Sequence, residues 1–132
     1  MISKIYKTFE EQKALRMDAS KVKTWIIDVQ SRWFLELRSG DKTVEGKRDS
    51  KTWSGMKVDD LINFRCEGQY LLLRIVDLRR YKTLKRYLTI EGLGRTLPGV
   101  LTLEEGIALY HEFWTEEEIK RDGILAIEVD FI

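Results

Sequence analysis

The chain has 132 residues, 43% hydrophobic and 34% charged, with a net charge of +1. That balance excludes a disordered chain, and typical domains hold roughly 100–200 residues, so a single domain over 1–132 is expected. Cys66 is the only cysteine and His111 the only histidine, which excludes an internal disulfide and a zinc site of the Cys/His kind.

No run approaches the roughly 18 apolar residues of a membrane span. The first residues lack the apolar stretch of a signal peptide. A cytoplasmic chain (nuclear in a eukaryote) with a reduced thiol is expected, with no metal, cofactor or membrane partner.

In chain order, residues 7–17 suggest a short helix, and Thr24 to Val29 is rich in strand formers. Ser31 can cap a helix in which Trp33, Phe34 and Leu37 share a face and Gly40 supplies the stop. Lys42 to Arg48 reads as a strand. A polar loop through Trp53-Ser54-Gly55 leads to the turn Lys57–Asp60 and the strand Leu61–Cys66. After Glu67-Gly68-Gln69, Tyr70 to Arg80 is a long strand with Leu71, Leu73 and Ile75 on one side and Leu72, Val76 and Leu78 on the other.

Three helical pieces follow. Thr83 opens the first, which closes at Gly92. Thr102-Leu103-Glu104-Glu105 and Thr115-Glu116-Glu117-Glu118 have the capping-box pattern. Leu103, Ile107, Tyr110 and Trp114 recur at helical spacing behind the first box. From Ile124 to Ile132, apolar Leu125, Ile127, Val129 and Phe131 alternate with Glu128 and Asp130. Early strands, late helices and a returning final strand predict an α+β fold, a small closed or nearly closed β-barrel with helices outside.

Charge is unevenly distributed. Arg38–Lys57 holds six basic and three acidic residues, and Arg74–Arg86 six and one. Glu104–Asp122 reverses this with two basic and seven acidic. If the basic stretches meet around one hollow they form a polyanion-binding surface; if not, they are separate solvated faces. The common catalytic motifs, Gly-x-Ser-x-Gly, a phosphate-binding Gly-rich loop and His-Glu-x-x-His, are absent.

The segment Gly40–Arg48 places an ammonium (Lys42), a hydroxyl (Thr43), a carboxylate (Glu45) and two more cations (Lys47, Arg48) just after a helix stop. Residues three apart on an ideal strand face opposite sides, so Lys42 and Glu45 share a cavity only if Lys42 belongs to the turn. Otherwise the segment is an edge strand whose charges discourage aggregation. A second cluster, Arg79, Arg80, Tyr81 and Lys82 with Trp53 upstream, offers phosphate-pairing cations beside stacking rings. The structural alternative is a Tyr81 ring packed on the barrel and Asp77 paired with Arg79.

Gly40-x-Lys42-x-x-Glu45-x-Lys47 closely resembles the Gly-x-Lys-x-x-Glu-x-Arg signature of the ASCH family, named for homology to a transcriptional coactivator. Trp53–Ile62, Asp77–Lys82, Leu97–Val100, Glu104-Glu105-Gly106 and Gly123–Glu128 also look like its members, so the resemblance spans about residues 33–132. It implies a PUA-like barrel, a fold associated with RNA and modified-nucleotide recognition, with the signature lining a cleft. Some small bacterial members are amidohydrolases of acetylated cytidine, and ribonuclease activity occurs in the family. Lys47 stands where the family prefers arginine, and Glu45 where the amidohydrolases carry a threonine nucleophile. Lys42 and, on a loose alignment, Glu91 match the rest of that catalytic set.

Three readings follow from these residues and the resemblance. The first is an RNA- or nucleotide-binding module with a basic cleft built from Lys42, Thr43, Glu45, Lys47, Arg48, Trp53, Arg79, Arg80, Tyr81 and Lys82. The second is a hydrolase of a modified nucleoside or of RNA using Lys42, Glu45 and Glu91. The third is a coactivator-like module whose acidic helices at 102–122 meet a basic protein.

Overall fold

The computed structural model describes residues 21–132, so the helix expected at 7–17 lies outside the described residues. A five-stranded sheet in the order β1-β3-β4-β5-β2 forms the frame. Its strands are β1 (Thr24–Asp28), β2 (Val44–Arg48), β3 (Leu61–Cys66), β4 (Gln69–Tyr81) and β5 (Ile124–Asp130). Five helices flank it: α1 (Ser31–Ser39), α2 (Leu84–Glu91), α3 (Leu93–Thr96), α4 (Leu103–His111) and α5 (Glu116–Asp122). The fold is α+β, a curled half-barrel with helices outside.

β1 pairs β3 in parallel, Thr24 opposite Leu61, and every other pairing is antiparallel. β1 and β2 are therefore the two edges, and the ladder stays open between them, so of the closed and nearly closed barrels expected the chain forms the open, curled one. β5 divides the interior, with both its faces covered. Leu125, Ile127 and Val129 join Trp25, Phe34, Phe64 and Ile75 in one core, while Ile124 and Ala126 join Val44, Tyr87 and Leu88 beneath the helices. A strand buried on both faces is nearly continuous in apolar residues, which Ile124 to Ile127 satisfies.

Local chemistry sets most boundaries. Gly40 ends α1 at φ 89°, a left-handed conformation that side chains resist, and its N–H returns to the Leu37 carbonyl. Thr83 caps α2, and Thr115 with Glu118 forms a reciprocal capping box at α5. At α4 the Thr102 hydroxyl accepts from the Glu105 N–H. Asp60, buried before β3, accepts from Trp25 Nε1 (2.9 Å) and from the Lys57 and Lys23 amides. Burial pushes its carboxyl pKa up, but these donors outweigh burial and hold it below the usual range.

Four local expectations are corrected. The residue capping α1 is Gln30, with Ser31 already helical and no side-chain cap bond made. The second strand starts at Val44, not Lys42, because the Lys42 N–H bonds back to the Glu36 carbonyl. α3 is a further helical piece between Gly92 and Pro98. Leu78 lies in the same core as Leu71, Leu73 and Ile75, because a register shift between Ile75 and Asp77 resets the alternation.

Candidate functional site

The open seam holds a cavity of about 230 Å³. One wall is the exit of β1 (Asp28–Gln30), and the facing wall is Glu45, Gly46 and Lys47 of β2. Trp33 of α1 and Tyr110, Phe113 and Trp114 at the end of α4 supply aromatic sides. The Thr43 carbonyl accepts from the Val129 N–H of β5, and the Asp49 N–H donates to the carbonyl of Gly123 just before β5. In the alternating ladder Val44, Gly46 and Arg48 therefore turn their peptide groups to the free edge. Gly46 thus presents backbone to the cavity.

Lys42 lies at the floor, 2% exposed. Because it belongs to the turn, its ammonium reaches back under β2. It donates to the carbonyls of Val44 (2.8 Å) and Thr96 and stands 3.4 Å from Glu45 Oε1. The Trp33 ring centroid is 5.7 Å away. Burial lowers the lysine's pKa, an effect that the Glu45 carboxylate opposes. Glu45 also accepts from the Gly46 N–H (3.2 Å). Behind them the Tyr87 and Tyr110 hydroxyls meet at 3.0 Å, and burial pushes both phenols up, which keeps them neutral.

No glycine in the fold is more tightly enclosed than Gly46. A Cβ there would sit 2.5 Å from Tyr87 Oη and 3.0 Å from Tyr110 Oη, and Tyr87 is fully buried. Gly46→Ala is expected to destabilise the chain by about 1–3 kcal/mol through overpacking. Urea unfolding that is unchanged in midpoint would contradict this packing.

Hypothetical protein PH0355, known from a crystal structure, is 33% identical to this chain with a TM-score of 0.77, over 83% of this chain and 99% of that one. Protein PF0455 from Pyrococcus furiosus, known from a solution NMR structure, is 34% identical with a TM-score of 0.69, over 81% and 96%. The chain belongs to their family. No family model matches the sequence, and no curated protein does.

In this member of the PH0355 family, the other expected site residues are dispersed. Arg79 joins Asp77 (2.6 Å), Glu91 (2.7 Å) and Glu128 (2.8 Å). Tyr81 packs near Tyr87 and donates its hydroxyl to Glu91. Trp53 packs on the inner core, 6.2 Å from Trp25. Arg48 is held by Asp122 and Glu118, and Arg80 by Asp49. Thr43 donates its N–H to the Arg95 carbonyl. Lys82 is exposed and makes no ion pair among the described residues.

The expectation of two basic stretches around one hollow is therefore corrected. Lys42 floors a cavity that Arg79 and Arg80 do not line, and its charged lining balances Lys42 and Lys47 against Asp28 and Glu45. Of the acidic stretch, Glu118 and Asp122 face Arg48, while Glu104, Glu105, Glu112 and Glu117 are exposed. Among the described residues no cluster of His, Cys, Asp and Glu can hold a metal ion, and no helix is long and apolar enough to cross a membrane. Among the cavity-lining residues that the sequence did not single out as site residues are Phe113, Trp33, Tyr110 and Trp114. Their signal was three large rings within five positions at the end of α4, more than one buried helix face requires.

Proposed function

We propose that this chain binds a nucleotide-like ligand, or one base of an RNA, in the seam cavity. The observation that carries this reading is an aromatic-sided hollow whose remaining wall offers strand-edge peptide and a carboxylate–ammonium pair. Aromatic side chains stack on any base, and the polar wall can bond to its edge. The volume of about 230 Å³ falls below the roughly 300–1,000 Å³ of drug-sized pockets, which suits one base with little more. The ASCH resemblance of Gly40–Lys47 supports the same reading, since it implies nucleotide recognition beside this signature, and the half-barrel is compatible with a PUA-like fold.

With its lining charges balanced, this pocket relies on stacking more than on phosphate pairing. Titration with nucleoside monophosphates and short single-stranded RNA, followed by calorimetry and tryptophan fluorescence, tests it. Trp33→Ala and Trp114→Ala are each expected to weaken binding about 5- to 100-fold, from a stacking contribution of ~1–3 kcal/mol per base. Absence of heat and fluorescence change with all these ligands at millimolar concentration overturns the reading.

Hydrolysis of a modified nucleoside or of RNA is a second reading, favoured by the Lys42–Glu45 pair at the cavity floor. Glu91 does not line the cavity, so only two of the three proposed groups are available there. Turnover of acylated nucleosides or RNA by the purified chain, lost in Glu45→Gln, supports this reading; no product removes it.

A further inference from the structure

A second hollow adjoins the seam cavity. It is open, about 390 Å³, and shares with the cavity the ridge Asp28-Val29-Gln30. Its far side is the β3–β4 hairpin, where Glu67 (φ 48°) and Gly68 (φ 80°) both take left-handed conformations. Two such residues in succession make the tight turn that matches strand twist, so this wall is fixed by the backbone. Arg65 and Tyr70 stand opposite each other across that hairpin.

Tyr70 is 67% exposed, and its ring has no aromatic or cationic partner among the described residues. A large ring left open inside a polar, concave surface is a stacking platform in want of an occupant. Arg65 contacts Asp28 at 3.1 Å and offsets the one negative charge on the ridge. Beside the hollow, Arg38 is bonded to Gln69 and has no acidic partner among the described residues, a cation set against the Glu67 carboxylate of the hairpin wall. The shared ridge is three residues long, at most ~10 Å of chain.

The geometry points to a ligand longer than one nucleotide: a single-stranded oligonucleotide with one base in the seam cavity and its neighbour on Tyr70, the strand crossing the Asp28–Gln30 ridge. This rests on the nucleotide reading of the cavity and adds to it a second subsite and a minimum ligand length. The cavity alone takes one base. The ridge and the outer hollow provide for the next.

A ladder of ligands tests it: a nucleoside monophosphate, the dinucleotide and the tetranucleotide of one base, titrated into the full chain. The dinucleotide is expected to bind about 5- to 100-fold more tightly than the monophosphate, the gain of one further stacked base. Tyr70→Ala should abolish that gain, leaving monophosphate affinity and thermal midpoint unchanged, whereas Tyr70→Phe should keep it. Equal affinity for monophosphate and dinucleotide, or an undiminished gain in Tyr70→Ala, overturns the second subsite but leaves the cavity reading standing. If no member of the ladder binds, both fall.

Discussion

Glu91→Ala is expected to destabilise the chain by about 3–5 kcal/mol, the usual cost of removing one partner from a buried charge network. Its carboxylate is 1% exposed and accepts from Arg79 through both oxygens (2.7 Å each), from Arg95 (2.6 Å) and from the Tyr81 hydroxyl. The network ties the end of β4 to the end of α2, so alanine leaves two arginines and a phenol facing an empty site. These donors, Arg79 foremost, hold the Glu91 carboxyl at about 2, against an ordinary value of 4.5. A carboxyl with a depressed folded pKa adds stability that is fully present above the unfolded value and is lost as pH falls through the folded one. The window is thus pH 4.5 down to about 2, and the contribution is of order 3 kcal/mol. Glu91→Gln, which keeps the shape, should unfold at lower urea than wild type at pH 7, with the gap narrowing by pH 3. An equal gap at both values would mean that the charge is not the source.

The same geometry bears on chemistry. A carboxylate with a pKa near 2 is a weak base at neutral pH, and a useful general base lies closer to the working pH. All its oxygens are occupied, and it stands outside the cavity lining. Its role is to anchor α2 and α3, and with them the Thr96 carbonyl that Lys42 grips.

Where a feature is encoded within a few residues, the chain could be read directly. β3 was bounded to the residue, because Asp59-Asp60 and Glu67-Gly68 punctuate it. Gly40, Gly92 and Gly123 mark helix ends at positive φ, where a side chain would be strained. The signature around Lys42 and Glu45 was legible too, including the condition that Lys42 must sit in the turn for the pair to meet. Features that depend on distant partners were not. Asp77, two residues away, is a legible partner for Arg79, but nothing near Arg79 announces Glu91 and Glu128, so its guanidinium also looked available for phosphate. The extra residue at Ile75–Asp77 is invisible in a strand of uniformly good strand formers, yet it moves Leu78 to the inner core. Whether the barrel closes depends on the distance between β1 and β2, two strands that never pair. The cavity exists because they do not.

That seam makes Lys42 the residue on which the site's shape depends. β2 is an edge strand with three peptide groups facing away from the sheet. The Lys42 ammonium takes one of their carbonyls, Val44, and at the same time a carbonyl at the end of α3, so it bolts the free edge to the helical layer. Its third hydrogen faces Glu45. With every donor engaged, Lys42 is a positioning residue: it sets where the Glu45 carboxylate and the Gly46 edge stand. Lys42→Met, which retains the side chain's length without its charge, is expected to lose about 3–5 kcal/mol, since it strands a carboxylate of 8% exposure and two carbonyls. Adding Glu45→Gln should restore part of the loss, because the unpaired charge disappears with it, and coupling of about 0.5–3 kcal/mol is typical for groups in one network. Urea unfolding of the two single variants and the double variant measures that cycle. Additive losses would mean that lysine and glutamate act independently, and the pair at the cavity floor would then be proximity without function.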